Sequence, residues 1–303
     1  MKFSVWPTSE RSITEILDVA RMADEDGWFG LWFADHYMPN TGDESFKPGG
    51  LLECWSVLPT VAAVTSRLRL GPLVTPTSIH HPALIANRAA TIDHVSDGRF
   101  VLGLGAGWQI NEHAAYGIEL EDPGPRVSRF EESIQIVRSL LDNDRTTFDG
   151  DFYTFSDAPC DPKPVQETLP ILVGTSSPRM LRITARHAQE WNAWGAPELA
   201  AESRSKFEDA CADVGTDPAS IHTSVQAVLV LTDDDAVAKK ALDGPMGART
   251  IAGSNDHVVE QLARYAENGF DEFIVFDGGL GRSTEERLDN FRRLHDDIVP
   301  QLA

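Results

Sequence analysis

Residues 99–108 read RFVLGLGAGW, an apolar run that breaks into alternating glycines and ends on a tryptophan. Glycines after a strand invite comparison with the dinucleotide-binding loop, which needs G-x-G-x-x-G opening a helix and an acidic residue about 20 positions on. Here Gly103, Gly105 and Gly107 are spaced G-x-G-x-G, and the sixth position is Trp108. No helical periodicity opens at Gly105, and Pro123 and Pro125 follow soon after, so the βαβ context fails. Two readings stay open: glycines that save space at a barrel rim, or glycines that give a flat ring close access to the backbone.

Working outward, similar apolar runs recur at 3–6, 31–34, 68–75, 171–174, 191–194, 225–231 and 273–276, besides 100–105 itself. They are near-continuous rather than alternating, as expected of parallel strands buried on both faces. Amphipathic stretches lie between them. Ile13, Ile16, Leu17 and Ala20 form one stripe behind Ser12, with Glu15 placed for a capping box. Phe130, Ile134, Val137 and Leu141 form another, and Leu288, Phe291, Leu294 and Ile298 the last. Eight strands alternating with helices predict an α/β fold, a (β/α)8 TIM barrel, with residues 1–303 as a single domain. The connections 35–67 and 106–170 are too long for plain turns and leave from the C-terminal strand ends, where such barrels keep their active sites. The second should hold a helix near 127–142 and a hairpin at Asp149-Gly150. Residues 234–270 read as an irregular segment followed by a helix over 256–268.

Composition excludes several function classes. With 47 acidic against 26 basic residues the net charge is −21, so no basic stripe exists to neutralise nucleic acid or an anionic membrane. No apolar run approaches a membrane span, and MKFSVWPTSERS lacks the pattern of a secretory leader. Cys54, Cys160 and Cys211 are scattered and odd in number, which fits buried thiols in a reducing, cytoplasmic compartment. There is no G-x-S-x-G elbow, no phosphate-binding P-loop and no clustered Cys/His set. His80-His81 are adjacent, so a strand would point them apart, and no metal site is expected.

Four strand ends carry chemistry. The second strand runs into WFADHY, placing a carboxylate and an imidazole, Asp35 and His36, at its C-terminal end; a capped loop with a satisfied histidine is the plainer alternative. The third, LRLGPLVTPT, contains Pro72, so either a bulge near Leu73–Thr75 turns backbone toward the mouth or the strand starts after the proline. After GLGAGW, Asn111 is placed to hydrogen-bond a cofactor's polar edge. The fifth ends GTSSPR, where Ser177 before Pro178 reads as a helix N-cap. Amides and three hydroxyls at a helix start, with Arg179 nearby, suit a phosphate, although an ordinary capped helix has the same pattern.

These stretches, together with LLECWSVLPTVAAVTSRLRLGPLVT, HHPALIANRAATIDHVSDGRFVLGLGAGW, TFDGDFYTF and PILVGTSSPRMLRITARHAQEWN, resemble the bacterial luciferase-like oxidoreductases, in particular the branch using the deazaflavin coenzyme F-420, an 8-hydroxy-5-deazaflavin. The resemblance covers roughly residues 28–195. It implies that Asp35 lies by the ring system, that His36 is the proton donor or acceptor, and that Glu53 is a second polar group over the ring. It implies a non-prolyl cis peptide and ring support at Leu73, Val74 and Thr75. Gly105, Ala106, Gly107 and Asn111 would border the ring, and Gly174, Thr175, Ser176 and Ser177 would take the phosphate. Where many relatives carry a run of glycines, this chain has Thr175-Ser176-Ser177. The implied activity is hydride transfer between F-420 and a small organic substrate in a homodimeric enzyme. An FMN-dependent monooxygenase of the same fold is the alternative, and a non-catalytic cofactor carrier a further one.

Overall fold

The computed structural model describes residues 1–302. The apolar runs form strands β1 (Lys2–Trp6), β2 (Gly30–Phe33), β3 (Arg69–Pro72), β4 (Thr75–Pro76), β5 (Leu102–Gly105), β6 (Thr146–Asp149), β7 (Thr154–Ala158), β8 (Ile171–Gly174), β9 (Glu190–Trp194), β10 (His222–Leu231), β11 (Thr250–Gly253) and β12 (Glu272–Phe276). The main sheet is parallel, in the order β3-β2-β1-β12-β10-β9-β8-β5-β4. A parallel bridge between Leu70 and Phe100 closes it into a barrel. β3 and β4 are the two halves of the third strand, separated by a cis Leu73-Val74 peptide, as the family resemblance implied.

Helices α1 (Ile13–Asp26), α2 (Cys54–Val64), α3 (Pro82–Ser96), α4 (Ile110–Tyr116), α5 (Pro123–Asp142), α6 (Pro178–His187), α7 (Pro197–Val214), α8 (Asp235–Leu242), α9 (Asn255–Glu267) and α10 (Thr284–Arg293) follow in chain order. Strand residues alternate between two cores. Phe3, Val5, Leu31 and Phe33 pack outward against the helices. Trp6, Trp32, Leu73, Val101, Leu172 and Ile274 fill the lumen, joined by Val74, Trp194 and Phe276. All three cysteines are free and buried.

Several local expectations change. Ser12 Oγ does accept the Glu15 N–H at 3.2 Å, but the Glu15 carboxylate crosses to Arg287 instead of closing the box. The reciprocal box forms at Ser283 and Glu286. The hairpin β6–β7 is present, with a wider turn in which Glu132 takes the N–H groups of Asp151, Phe152 and Tyr153. Within 234–270, TIAG forms β11 and extends the sheet along the C-terminal half of β10. Its four small or β-branched residues are too few to show a period in sequence.

The glycines of the opening motif serve packing. A Cβ on Gly103 would lie 2.0 Å from the Pro72 carbonyl oxygen, and one on Gly105 would lie 2.7 Å from Val74 Cγ2. Gly174, across the wall, would place its Cβ 3.2 Å from Val74 Cγ1. The room left by these glycines is taken up by the third strand's displaced backbone and by the Val74 side chain.

Candidate active site

Beyond Phe33 the chain leaves β2 through Ala34 and places Asp35, His36 and Tyr37 at the C-terminal end of the barrel. Asp35 is 1% exposed, and its Oδ2 accepts the Trp55 indole N–H at 2.9 Å and the Thr75 hydroxyl at 2.8 Å. His80 Nε2 lies 3.2 Å from the same oxygen. Arg88 Nη1 stands 3.3 Å from His80 Nδ1. A guanidinium only donates, so Nδ1 accepts and the His80 proton sits on Nε2, facing Asp35. Three donors on Oδ2 compensate the burial of a carboxylate. Asp35 Oδ1 is buried without a protein partner.

The neighbouring imidazole is held separately. His36 Nδ1 lies 3.0 Å from Glu112 Oε1, while Glu112 Oε2 accepts the Tyr37 N–H at 3.0 Å. Glu112 is 1% exposed and belongs to α4, the helix that opens five residues past Gly105 and was not visible as a periodicity. A carboxylate on Nδ1 fixes the tautomer with the proton there, leaving Nε2 as the nitrogen able to take a proton. The Tyr37 hydroxyl meets His80 Nε2 at 3.1 Å. Burial, then the Asp35 and Glu53 carboxylates, push the Tyr37 phenol upward, so it stays protonated.

The other expected residues divide. Glu53 is the N-cap of α2, with its carboxylate accepting from the Trp55 and Ser56 N–H groups and the Ser56 hydroxyl. Those bonds hold the Glu53 carboxylate at the start of α2, where it lines a cavity together with Tyr37, Trp55, His80 and Arg88. Asn111 donates to the Pro39 carbonyl at 2.9 Å, and Gln109 to Met38 at 2.8 Å, so both strap α4 to the loop after β2. Asn111 Oδ1 remains buried and unpartnered. Gly107, at φ +89°, makes a turn that presses on Ser78. Leu73 and Thr75 are buried, and the Thr75 hydroxyl is given to Asp35.

At GTSSPR, Ser177 caps α6 by backbone geometry, without a side-chain cap bond. Thr175 is committed to the scaffold: its N–H donates to the Asn192 carbonyl, its carbonyl accepts from Trp191 Nε1, and its Oγ1 accepts the Ser177 N–H. Ser176 and Ser177 are exposed. Arg179 turns away to α5, bonding Ser128 Oγ at 2.9 Å and Glu131 at 3.2 Å. The open anion donors here are therefore the two serines and the first amides of α6.

His80, Tyr37, Trp55 and Glu112 were missed. The signal for Glu112 is its place in the Asn-Glu pair just beyond the glycines. For His80 it is the HH pair itself, which sends His80 inward while exposed His81 caps α3 through the Ala83 N–H.

Fold and site define a parallel α/β barrel enzyme with a carboxylate-held histidine at its C-terminal mouth. The chain belongs to the luciferase-like monooxygenase family, whose model matches residues 1–248. It is 34% identical to an F-420-dependent glucose-6-phosphate dehydrogenase of Kineococcus radiotolerans over 57% of this chain, a stretch that spans about half (50%) of that enzyme. A similarly named enzyme of Microbacterium testaceum is 29% identical over all of this chain and 97% of its own length. Among solved structures, the coenzyme F-420-dependent tetrahydromethanopterin reductase of Methanopyrus kandleri superposes with a TM-score of 0.82 at 18% identity, covering 100% of this chain and 99% of that one. At that identity the likeness is one of fold.

Proposed function

We propose that this chain is an oxidoreductase moving a hydride between coenzyme F-420 and a small organic substrate, with His36 as the acid–base group. The observation that supports the reading best is the His36–Glu112 pair, which leaves Nε2 to take a proton, in a residue that directly follows Asp35 with its buried, unpartnered Oδ1. The F-420-dependent relatives support the choice of coenzyme. When bound, a deazaflavin supplies a ring carbon that accepts or gives a hydride and reacts poorly with oxygen. Asp35 Oδ1 and the backbone of Leu73, Val74 and Thr75 would hold its ring, and Ser176, Ser177 and the α6 amides its phosphate. His36 Nε2 takes the proton of an alcohol as the hydride departs, or returns it to a carbonyl oxygen. The same reading makes the enzyme a cytoplasmic homodimer without a nucleic-acid partner. No helix among the described residues is long and apolar enough to cross a membrane.

The alternative, an FMN-dependent monooxygenase, draws on the family's own description. Titrating the protein separately with F-420 and FMN, and following tryptophan fluorescence, separates the two: F-420 should bind tighter, and preference for FMN overturns the proposal. His36→Ala should lower turnover by about a hundredfold while F-420 affinity stays intact; unchanged turnover removes His36 from its role.

A further inference from the structure

Trp108, the last residue of the opening motif, has no part in the mechanism above. Its side chain is 56% exposed, yet its position is held. Gly107 makes the turn before it, where a Cβ would collide with Ser78 Oγ. After it, Gln109 and Asn111 clamp the segment to Met38 and Pro39. The indole stands 5.4 Å from the His36 ring, at an interplanar angle of 82°. A tryptophan left open to water forfeits much of the free energy its burial would contribute. An exposed indole fixed beside an acid–base group is therefore a surface suited to being covered by a ligand.

The lumen beneath is aromatic. Trp6 lies 5.5 Å from Trp194 and 4.8 Å from Phe276 between ring centroids. Among the arginines at this end, Arg11 pairs with Asp277, Arg287 with Glu15 and Arg179 with Glu131, while Arg88 meets the His80 ring and the face of Trp55. The guanidinium of Arg249 rests on Trp194. This mouth therefore offers flat apolar surface, with the Arg88 and Arg249 guanidiniums themselves laid against indoles.

We infer that Trp108 is the wall against which the substrate's planar apolar body packs while His36 Nε2 meets its reacting oxygen, so that the chain takes an aryl ketone or the matching secondary alcohol. The inference rests on the hydride-transfer reading above. In the reductive direction the carbonyl carbon gains a hydride from reduced coenzyme and the oxygen gains the proton carried by His36; oxidation reverses both transfers. Trp108 thus acts on specificity through the unreactive part of the substrate.

Acetophenone and acetone share the reacting carbonyl and differ by the ring, so the pair isolates the contribution of Trp108. In calorimetric titrations, with and without F-420, acetophenone should bind at least about tenfold tighter than acetone. Trp108→Ala should erase most of that difference and Trp108→Phe should keep most of it, with acetone and F-420 affinities unchanged. Equal weakening of both ketones, no effect on either, no measurable acetophenone binding, or tighter binding of glucose 6-phosphate overturns the inference. So does a sedimentation change in Trp108→Ala, which would assign the indole to an interface between copies. Failure of the coenzyme reading would look different: no F-420 binding, with the ring discrimination intact in coenzyme-free protein.

Discussion

At the N-terminal end of the lumen, the Glu272 carboxylate accepts the Trp32 indole N–H at 2.7 Å and faces His222 Nε2 at 3.0 Å, while Arg69 pairs with Glu190. At the C-terminal mouth, Asp35 also accepts an indole N–H and faces a histidine, yet its Oδ1 has no partner. Both ends thus bury a carboxylate with tryptophan and histidine. At one end the barrel satisfies Glu272 from within, while neighbouring Glu190 keeps an unpartnered Oε2; at the other, Asp35 Oδ1 stays unpartnered and the His36 ring stands next to an exposed indole. The closed end holds the strands together; the mouth adds a carboxylate-held histidine beside an exposed indole, at the strand ends where such barrels bind ligands.

The comparison can be broken by substitution. Glu272→Ala should cost about 3–5 kcal/mol of stability, because Trp32 and His222 lose a buried ionic partner. Urea denaturation measures this, and a loss below about 1 kcal/mol would deny the closed end its structural role. Glu112→Gln should leave the fold intact but lower turnover by about a hundredfold, since the His36 tautomer is no longer enforced. Its pH–rate profile should shift as well; a variant with wild-type turnover and profile would remove Glu112 as the positioning residue.

The smallest effect sharpens the closed end. Burial raises the Glu272 carboxyl, but the hydrogen bond and charge of His222 and the bond from Trp32 prevail and hold it low. Its contribution is present above the unfolded carboxylate range and is lost as pH falls through the lowered folded value. Glu190 has the opposite sign, because burial outweighs Arg69 and His222 and raises it. Its contribution is present in acid and disappears as pH rises through the raised value. Glu190→Gln should therefore change stability at neutral pH by no more than about 1 kcal/mol, while Glu272→Gln removes part of the acid-side decline. Denaturation midpoints across pH for the two variants test the pair; identical profiles would contradict the opposed signs.

How legible this was in the sequence differs between strands and site. The eight apolar runs were readable because burial on both faces demands continuous hydrophobicity, and that demand is local. Asp35 and His36 were readable as an abrupt polar pair after WFA, and GTSSPR as a serine before a proline. β11 and α4 were not, because four and seven residues carry too little periodicity. That Glu53 caps α2 while lining a cavity with Tyr37 and His80 depends on how α2 meets the loop after β2, which no local pattern encodes.

The chain's order of residues by itself determined the barrel, the exclusion of a dinucleotide loop at Gly105 and the placing of Asp35-His36 at a strand end. Only the tertiary structure decided what those residues touch. It brought Glu112, 76 positions away, onto His36, and His80 and Thr75 onto Asp35. It also gave the space beside Gly103, Gly105 and Gly174 to Pro72 and Val74. The physical reason is one of range. Burial patterns and turn chemistry are written into neighbouring residues, whereas a hydrogen bond between distant segments exists only once the barrel closes and brings its strand ends together.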